Sequence, residues 1–144
     1  TMVRILAQLD ADHVITLHSE DGMDEVSVSA ATTVFEYDAS DNNPVPRSRE
    51  VSPEQHDVDR SPISALEGGT ARENATILHN ILSGNDQSPR RDVAVLNAAY
   101  ALHVSDKFSD LEACVEAAEE SIDSGAALDK LKTLAKVSKK AKSD

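Results

Sequence analysis

Met2, Ile5, Leu6 and Leu9 recur at helical spacing, which predicts one amphipathic helix over residues 2–9. A break at Asp10-Ala11-Asp12 leads into Val14-Ile15-Thr16-Leu17, a continuous, largely β-branched run of the kind found in strands covered on both faces. A helix feeding such a strand through a tight connection is half of a βαβ unit, so a parallel sheet is expected. Two further short strands are expected at 25–29, where Val26 and Val28 alternate with Ser27 and Ser29, and at 33–37. Ala30-Ala31-Thr32 between them is poor hairpin material, so direct pairing does not follow.

Residues 38–62 break the pattern with Asp38-Ala39-Ser40-Asp41-Asn42-Asn43-Pro44 and three more prolines, Pro46, Pro53 and Pro62. This stretch reads as an irregular surface excursion, with one helical turn possible at Ser52-Pro53-Glu54-Gln55. Helical spacing then takes over. Thr70-Ala71-Arg72-Glu73 is a capping box opening a helix through Ile77, Leu78, Ile81 and Leu82, which Gly84 stops. Ser88-Pro89 starts the next, and Ser109-Asp110-Leu111-Glu112 is a second capping box for a helix ending near Gly125. Leu128, Leu131 and Leu134 mark a last helix that runs into Lys139-Lys140-Ala141-Lys142, where cations suit a helix C-terminus. The chain thus divides as helix and strands over 1–37, a proline-rich excursion over 38–69, and helices with a basic tail over 70–144. The fold class expected is α/β, in a single domain.

Charge changes this picture. Of 144 residues, 26 are acidic and 14 basic, for a net charge of −12, and residues 1–70 alone carry 14 acids against 4 bases. Such a field repels phosphate backbones and argues against a nucleic-acid partner. Aromatic residues make up only 3%, so the core must come from aliphatic side chains and alanine. A single cysteine, Cys114, excludes an internal disulfide and suits a reducing compartment. No apolar run approaches membrane-spanning length, so no membrane partner is expected and a cytoplasmic location is. The chain enters its first helix almost at once from Thr1, as expected of a chain cut inside a larger protein.

The candidate chemistry lies in Leu17-His18-Ser19-Glu20-Asp21-Gly22-Met23-Asp24-Glu25-Val26, where four carboxylates surround one glycine after the apolar strand. Neighbouring Asp24 and Glu25 suit a hard cation, since magnesium takes one or two carboxylates and leaves its other positions to water and phosphate. On spacing alone a solvated acidic turn is the better reading, because an Asp-Glu pair is common and unspecific. Its place beyond the carboxyl end of a strand, where open parallel sheets bind ligands, raises the functional reading above that of an ordinary acidic turn. Glu20 and Asp21 read as loop-shaping or solvated, and Gly22 as the turn residue. Elsewhere the residues read as structural. His13, His18, His56, His79 and His103 show no metal-ligand spacing, and Cys114 sits among helical packing positions. Gly68-Gly69-Thr70 could cradle an anion but reads more simply as a tight turn into a cap. Arg90 and Arg91, in a first helical turn where cations oppose the dipole, imply acidic partners elsewhere in the fold. Asn74 and Asn97 each imply a bond to a backbone group or loop.

Several of these segments together resemble one family. His18-Ser19-Glu20-Asp21-Gly22-Met23-Asp24-Glu25-Val26-Ser27 is similar to the "histidine-glycine-x-aspartate-glycine-leucine-aspartate-glutamate-isoleucine-serine" signature of anthranilate phosphoribosyltransferases. So are the segments 67–75, 77–84, 89–99 and 121–125, in the right order and spacing. Ser19 replaces the usual glycine and Met23 the usual leucine. The resemblance implies the C-terminal part, under half, of a nucleoside-phosphorylase/phosphoribosyltransferase-type catalytic domain. It further implies transfer of phosphoribosyl from phosphoribosyl pyrophosphate (PRPP) to anthranilate in tryptophan biosynthesis, Mg2+ held by Asp24 and Glu25, and a homodimer. Nothing here matches the family's glycine-rich phosphate loop or its Lys-His-Gly-Asn stretch. The chain alone is therefore expected to be inactive, and either to self-associate or to pair with the missing N-terminal part. A related phosphoribosyltransferase with another acceptor, or a non-catalytic acidic binding module, are the alternatives.

Overall fold

A computed structural model describes residues 2–141. Three strands, β1 (His13–Ser19), β2 (Thr32–Asp38) and β3 (Arg47–Val51), form one sheet in the order β1-β2-β3. Five helices accompany it: α1 (Met2–Gln8), α2 (Ala71–Leu82), α3 (Pro89–His103), α4 (Leu111–Asp123) and α5 (Ala126–Ala141). The α/β class stands, but both strand pairs are antiparallel rather than parallel. The connection from β1 to β2 is a 12-residue loop with no crossover helix in it, so β2 returns beside β1 in the opposite sense.

The segment 25–29 is not a strand. Val26 and Val28 are buried nonetheless, at 2% and 0% exposure. Side chains take the place of a ladder partner: the Val26 N–H donates to Asn97 Oδ1 at 2.8 Å, and Asn97 Nδ2 donates to the Val26 carbonyl at 2.9 Å. The Ser27 N–H donates to Thr32 Oγ1 at 3.1 Å. These bonds satisfy buried backbone groups that would otherwise cost about 1–3 kcal/mol each.

The proline-rich excursion is not wholly irregular, because β3 lies inside it. Arg-Ser-Arg-Glu-Val carries too few apolar residues to announce a strand, and only Val51 at its end is buried. It is an edge strand, and charged side chains are what edges tolerate. Pro53–His56 forms a single 3-10 turn whose Gln55 side chain accepts from the Ser52 N–H at 3.2 Å.

Register assigns each side chain to a face. Leu17 opposes Val34, Ile15 opposes Glu36 and His13 opposes Asp38, so these six share one face, together with Arg47, Arg49 and Val51 of β3. Its apolar end meets the helical half, where Val26, Val28, Val34, Val51, Leu96 and Tyr100 form one buried cluster with Ile15 and Leu17 packed against it. A second cluster of Ile81, Val95, Ala118 and Ile122 joins α2, α3 and α4. Helix α3 contributes to both and is the spine of the molecule.

α1 packs against β1 and β2 but buries only Val3. The predicted apolar stripe points elsewhere: Met2, Ile5 and Leu9 are exposed at 61%, 47% and 70%. The α2 capping box forms as expected, whereas α4 is capped one residue later than expected, by Asp110, whose Oδ1 accepts from the Ala113 N–H at 2.9 Å. Thr1 and Lys142, at the ends of the expected first helix and basic tail, lie outside the described residues.

Candidate metal centre

The acidic loop leaves the carboxyl end of β1, as its sequence position implied, and is built around Asp21. One oxygen, Asp21 Oδ1, accepts the Met23 N–H at 3.1 Å; the other, Oδ2, accepts the Ser27 hydroxyl at 2.5 Å and the Ser29 hydroxyl. Partial burial pushes the Asp21 carboxyl upward, but these donors outweigh it and hold the group at about 2. Gly22 takes φ +90°, where a side chain would be strained, and the Ser19 N–H closes the turn on the Met23 carbonyl at 3.0 Å. Asp21 therefore shapes the loop, while Asp24 and Glu25 are exposed beyond it. Among the described residues neither carboxylate is taken by a hydrogen bond or ion pair. The next residue, Val26, is clamped to α3 by Asn97, which also donates to the Val93 carbonyl at 2.8 Å. Two adjacent, uncommitted oxygen donors on an anchored loop fit magnesium, which needs few protein ligands.

The remaining expectations resolve into structure. Asn74 closes the glycine turn by accepting from the Gly69 N–H at 2.7 Å and donating to the Gly69 carbonyl at 3.2 Å. Thr70 and Glu73 complete the cap, with the Thr70 N–H donating to Glu73 Oε2 at 2.7 Å. That loop is filled by its own side chains, so the tight-turn reading holds. Arg91, only 8% exposed, reaches Asp123 at 3.1 Å and Glu119 at 3.4 Å on α4. Arg90 donates to the Glu67 carbonyl at 2.9 Å. Cys114 is fully buried, and burial pushes its thiol up, away from reactivity.

One constellation is absent from the sequence reading. His13 and Glu36 are diagonal neighbours on the sheet face, and the end of α3 brings His103 over them. Both His13 Nε2 and His103 Nε2 lie on Glu36 Oε1, at 3.0 and 3.1 Å, while His13 Nδ1 meets Asp106 Oδ1 at 2.8 Å. Burial lowers the His13 imidazolium pKa, but the Glu36 and Asp106 carboxylates more than reverse this and the net shift is upward. Among the described residues, the clusters of three or more ligand-type side chains are His13–Glu36–His103 and His13–Asp38–Asp106. Neither includes Asp24 or Glu25. Residues 13, 36 and 103 carry no local spacing signal, since only β pairing and the α3 packing angle bring them together.

Comparison with known proteins agrees with this architecture. Residues 1–128 match the glycosyl transferase family a/b domain. The chain belongs to that family. It is 77% identical, over its whole length, to the anthranilate phosphoribosyltransferase of Salinibacter ruber, of which it covers 42%. It is 46% identical over 134 residues to that of Thermomicrobium roseum, covering 38% of it. The chain thus spans about two fifths of the length of these family members. Among solved structures, the anthranilate phosphoribosyltransferase of Thermus thermophilus superposes with a TM-score of 0.76 at 28% identity, over 88% of this chain and 36% of that one. The Saccharomyces cerevisiae enzyme in complex with PRPP and Mg gives 0.70 at 28% identity, over 82% of this chain and 33% of that one. The glycosyl transferase fold is accordingly shared by this chain, with its acidic loop at a strand end.

Proposed function

We propose that the protein to which this chain belongs transfers phosphoribosyl from PRPP to the amino group of anthranilate, releasing pyrophosphate, and that Asp24 and Glu25 hold its Mg2+. The observation that carries this is 77% identity, across the whole chain, to a relative named for that activity. The exposed, unpaired state of the two carboxylates supports their role. When bound there, Mg2+ would supply charge neutralisation for the departing pyrophosphate.

What the chain's own residues do follows from the loop. Asp21, held by Ser27, Ser29 and the Met23 amide, keeps the turn in one shape without lending its charge to the ion. Asn97 fixes the backbone at Val26, just beyond Glu25, to α3. The two donors are thus pre-positioned, and attack by an aryl amine on an electron-poor ribose carbon depends more on position and charge than on proton transfer. A cytoplasmic homodimer belongs to the same reading, because the resemblance implies it.

In the full-length protein, Asp24→Asn and Glu25→Gln are each expected to lower turnover of PRPP and anthranilate by about a hundredfold and to raise the Mg2+ concentration needed for half-maximal rate. Steady-state rates over a magnesium titration measure both. Turnover with an unchanged magnesium dependence in both variants would remove Asp24 and Glu25 from the metal site. Absence of turnover in the unmodified full-length protein would identify a non-catalytic acidic module instead, and turnover of PRPP with an acceptor other than anthranilate would identify a sister transferase. The chain alone is expected to show no turnover until an N-terminal portion is added, since it contains no glycine-rich phosphate loop. Activity from the chain alone would refute that.

A further inference from the structure

We propose that His13, Glu36 and His103 form a second metal site, for a divalent transition ion of the zinc class, that fastens the end of α3 to the sheet. Three elements far apart in sequence deliver one ligand atom each, and the His13 side chain is only 4% exposed. Tetrahedral zinc, with bonds near 2.0–2.2 Å, holds neighbouring ligand atoms about 3.3 Å apart. Glu36 Oε1 lies 3.0 Å from His13 Nε2 and 3.1 Å from His103 Nε2, and the three atoms all lie within 4.8 Å of one another. An ion enters this triangle with shifts of a few tenths of an ångström on those two edges.

The surroundings match a metal site as well. Asp106 Oδ1 accepts from His13 Nδ1 at 2.8 Å, the carboxylate–histidine arrangement that fixes a ligating imidazole and leaves its other nitrogen for the ion. Arg49 Nη1 donates to Glu36 Oε2 at 2.8 Å, which holds the carboxylate and keeps Oε1 turned to the histidines. Two imidazoles and one carboxylate select zinc, cobalt or nickel over magnesium, which prefers oxygen. The site is also remote from the acidic loop: His13 begins β1 and the loop follows its end, about 20 Å away at strand rise. A staple there adds stability to the join between sheet and helices.

The test uses the full-length protein, stripped with chelator and kept in excess Mg2+, then titrated with Co2+ and Zn2+. The expected result is a visible tetrahedral cobalt spectrum saturating at one ion per chain, displaced by zinc, with zinc raising the melting temperature. His103→Ala and Glu36→Gln are expected to weaken zinc at least about tenfold, and Asp106→Asn by about 10–100-fold, while Asp24→Asn leaves zinc affinity unchanged. Absence of the cobalt spectrum, or zinc affinity unaltered in His103→Ala and Glu36→Gln, would overturn the proposal. Where those variants fail to fold, zinc-induced shifts of the His13 and His103 ring protons in the unmodified protein decide. Rings that do not respond mean the cluster is an ion-pair network only.

Discussion

Asp21 illustrates how one residue in a cluster of acids can be structural while its neighbours stay uncommitted. Its carboxylate is consumed by two hydroxyls and an amide, whereas Asp24 and Glu25, three and four residues on, are left to solvent. Because its folded pKa is depressed to about 2 from an ordinary 3.8, the unfolded chain binds the proton first as pH falls. The stability Asp21 contributes is therefore fully present above about pH 4 and is lost as pH drops through about 2. Allowing for its partial exposure, that contribution is about 1–2 kcal/mol. Asp21→Asn is expected to lose it at neutral pH and to flatten the acid limb of stability between pH 4 and 2. Urea unfolding at a series of pH values measures both, and parallel acid limbs in the two proteins would contradict the assignment.

At the scale of elements, α3 is the organiser. Its Ser88 cap accepts from the Arg90 N–H at 3.3 Å, Arg91 ties it to α4, Leu96 and Tyr100 pack under the sheet, and His103 reaches the polar end of the sheet face. Asn97 is its link to the acidic loop, where one amide replaces a whole strand partner for Val26. Asn97→Ala strands the Val26 N–H and carbonyl in a largely buried place and is expected to cost about 2–4 kcal/mol. Denaturant midpoints measure that loss. If the loop holds Mg2+ as proposed, the same variant should also weaken Mg2+ affinity, which isothermal titration of the full-length protein reads separately. A stability change below about 0.5 kcal/mol, in the range of ordinary surface substitutions, would mean the loop is held by other bonds.

At the scale of the molecule, α1 packs directly on the three-stranded sheet, α3 and α4 cover its apolar end through Leu96, Tyr100, Leu111 and Val115, and α2 packs on those two helices. α1 leaves Met2, Ile5 and Leu9 in solvent, and α5 does the same with Leu134 and Val137 at 64% and 61% exposure. Apolar helix faces of this kind mark surfaces that pack on something else. Isolated as these residues, the chain is expected to self-associate with rising concentration, and sedimentation velocity measures it. Strictly monomeric behaviour at high concentration would count against an interaction role for those faces. Association should weaken when Met2, Ile5 and Leu9 are replaced by polar residues. Net charge of −12 opposes association at low salt, so added salt should strengthen it.

The sequence by itself determined most of the helical half. Capping residues and 3.6-residue spacing are local codes, so α2, α3 and α4 could be placed within a residue or two, and the Asp24–Glu25 pair could be marked as a candidate from adjacency and from the resemblance of its loop to a family signature. Asn74, Asn97 and Arg91 were legible too, because each breaks a local helical preference and is compensated elsewhere, whereas Arg90 meets the Glu67 backbone carbonyl instead of the acidic partner expected. Sheet pairing is not a local code. The antiparallel sense of β1 and β2 depends on how an irregular loop turns back, and β3 is an edge strand whose charged residues gain nothing from burial. The burial of Val26 and Val28 without a strand depends on Asn97, 71 positions away. The same non-local pairing decides the fate of two histidines: spacing offers them no partner, and only the register of His13 against Asp38, with α3 crossing above, brings His13 and His103 onto the Glu36 carboxylate.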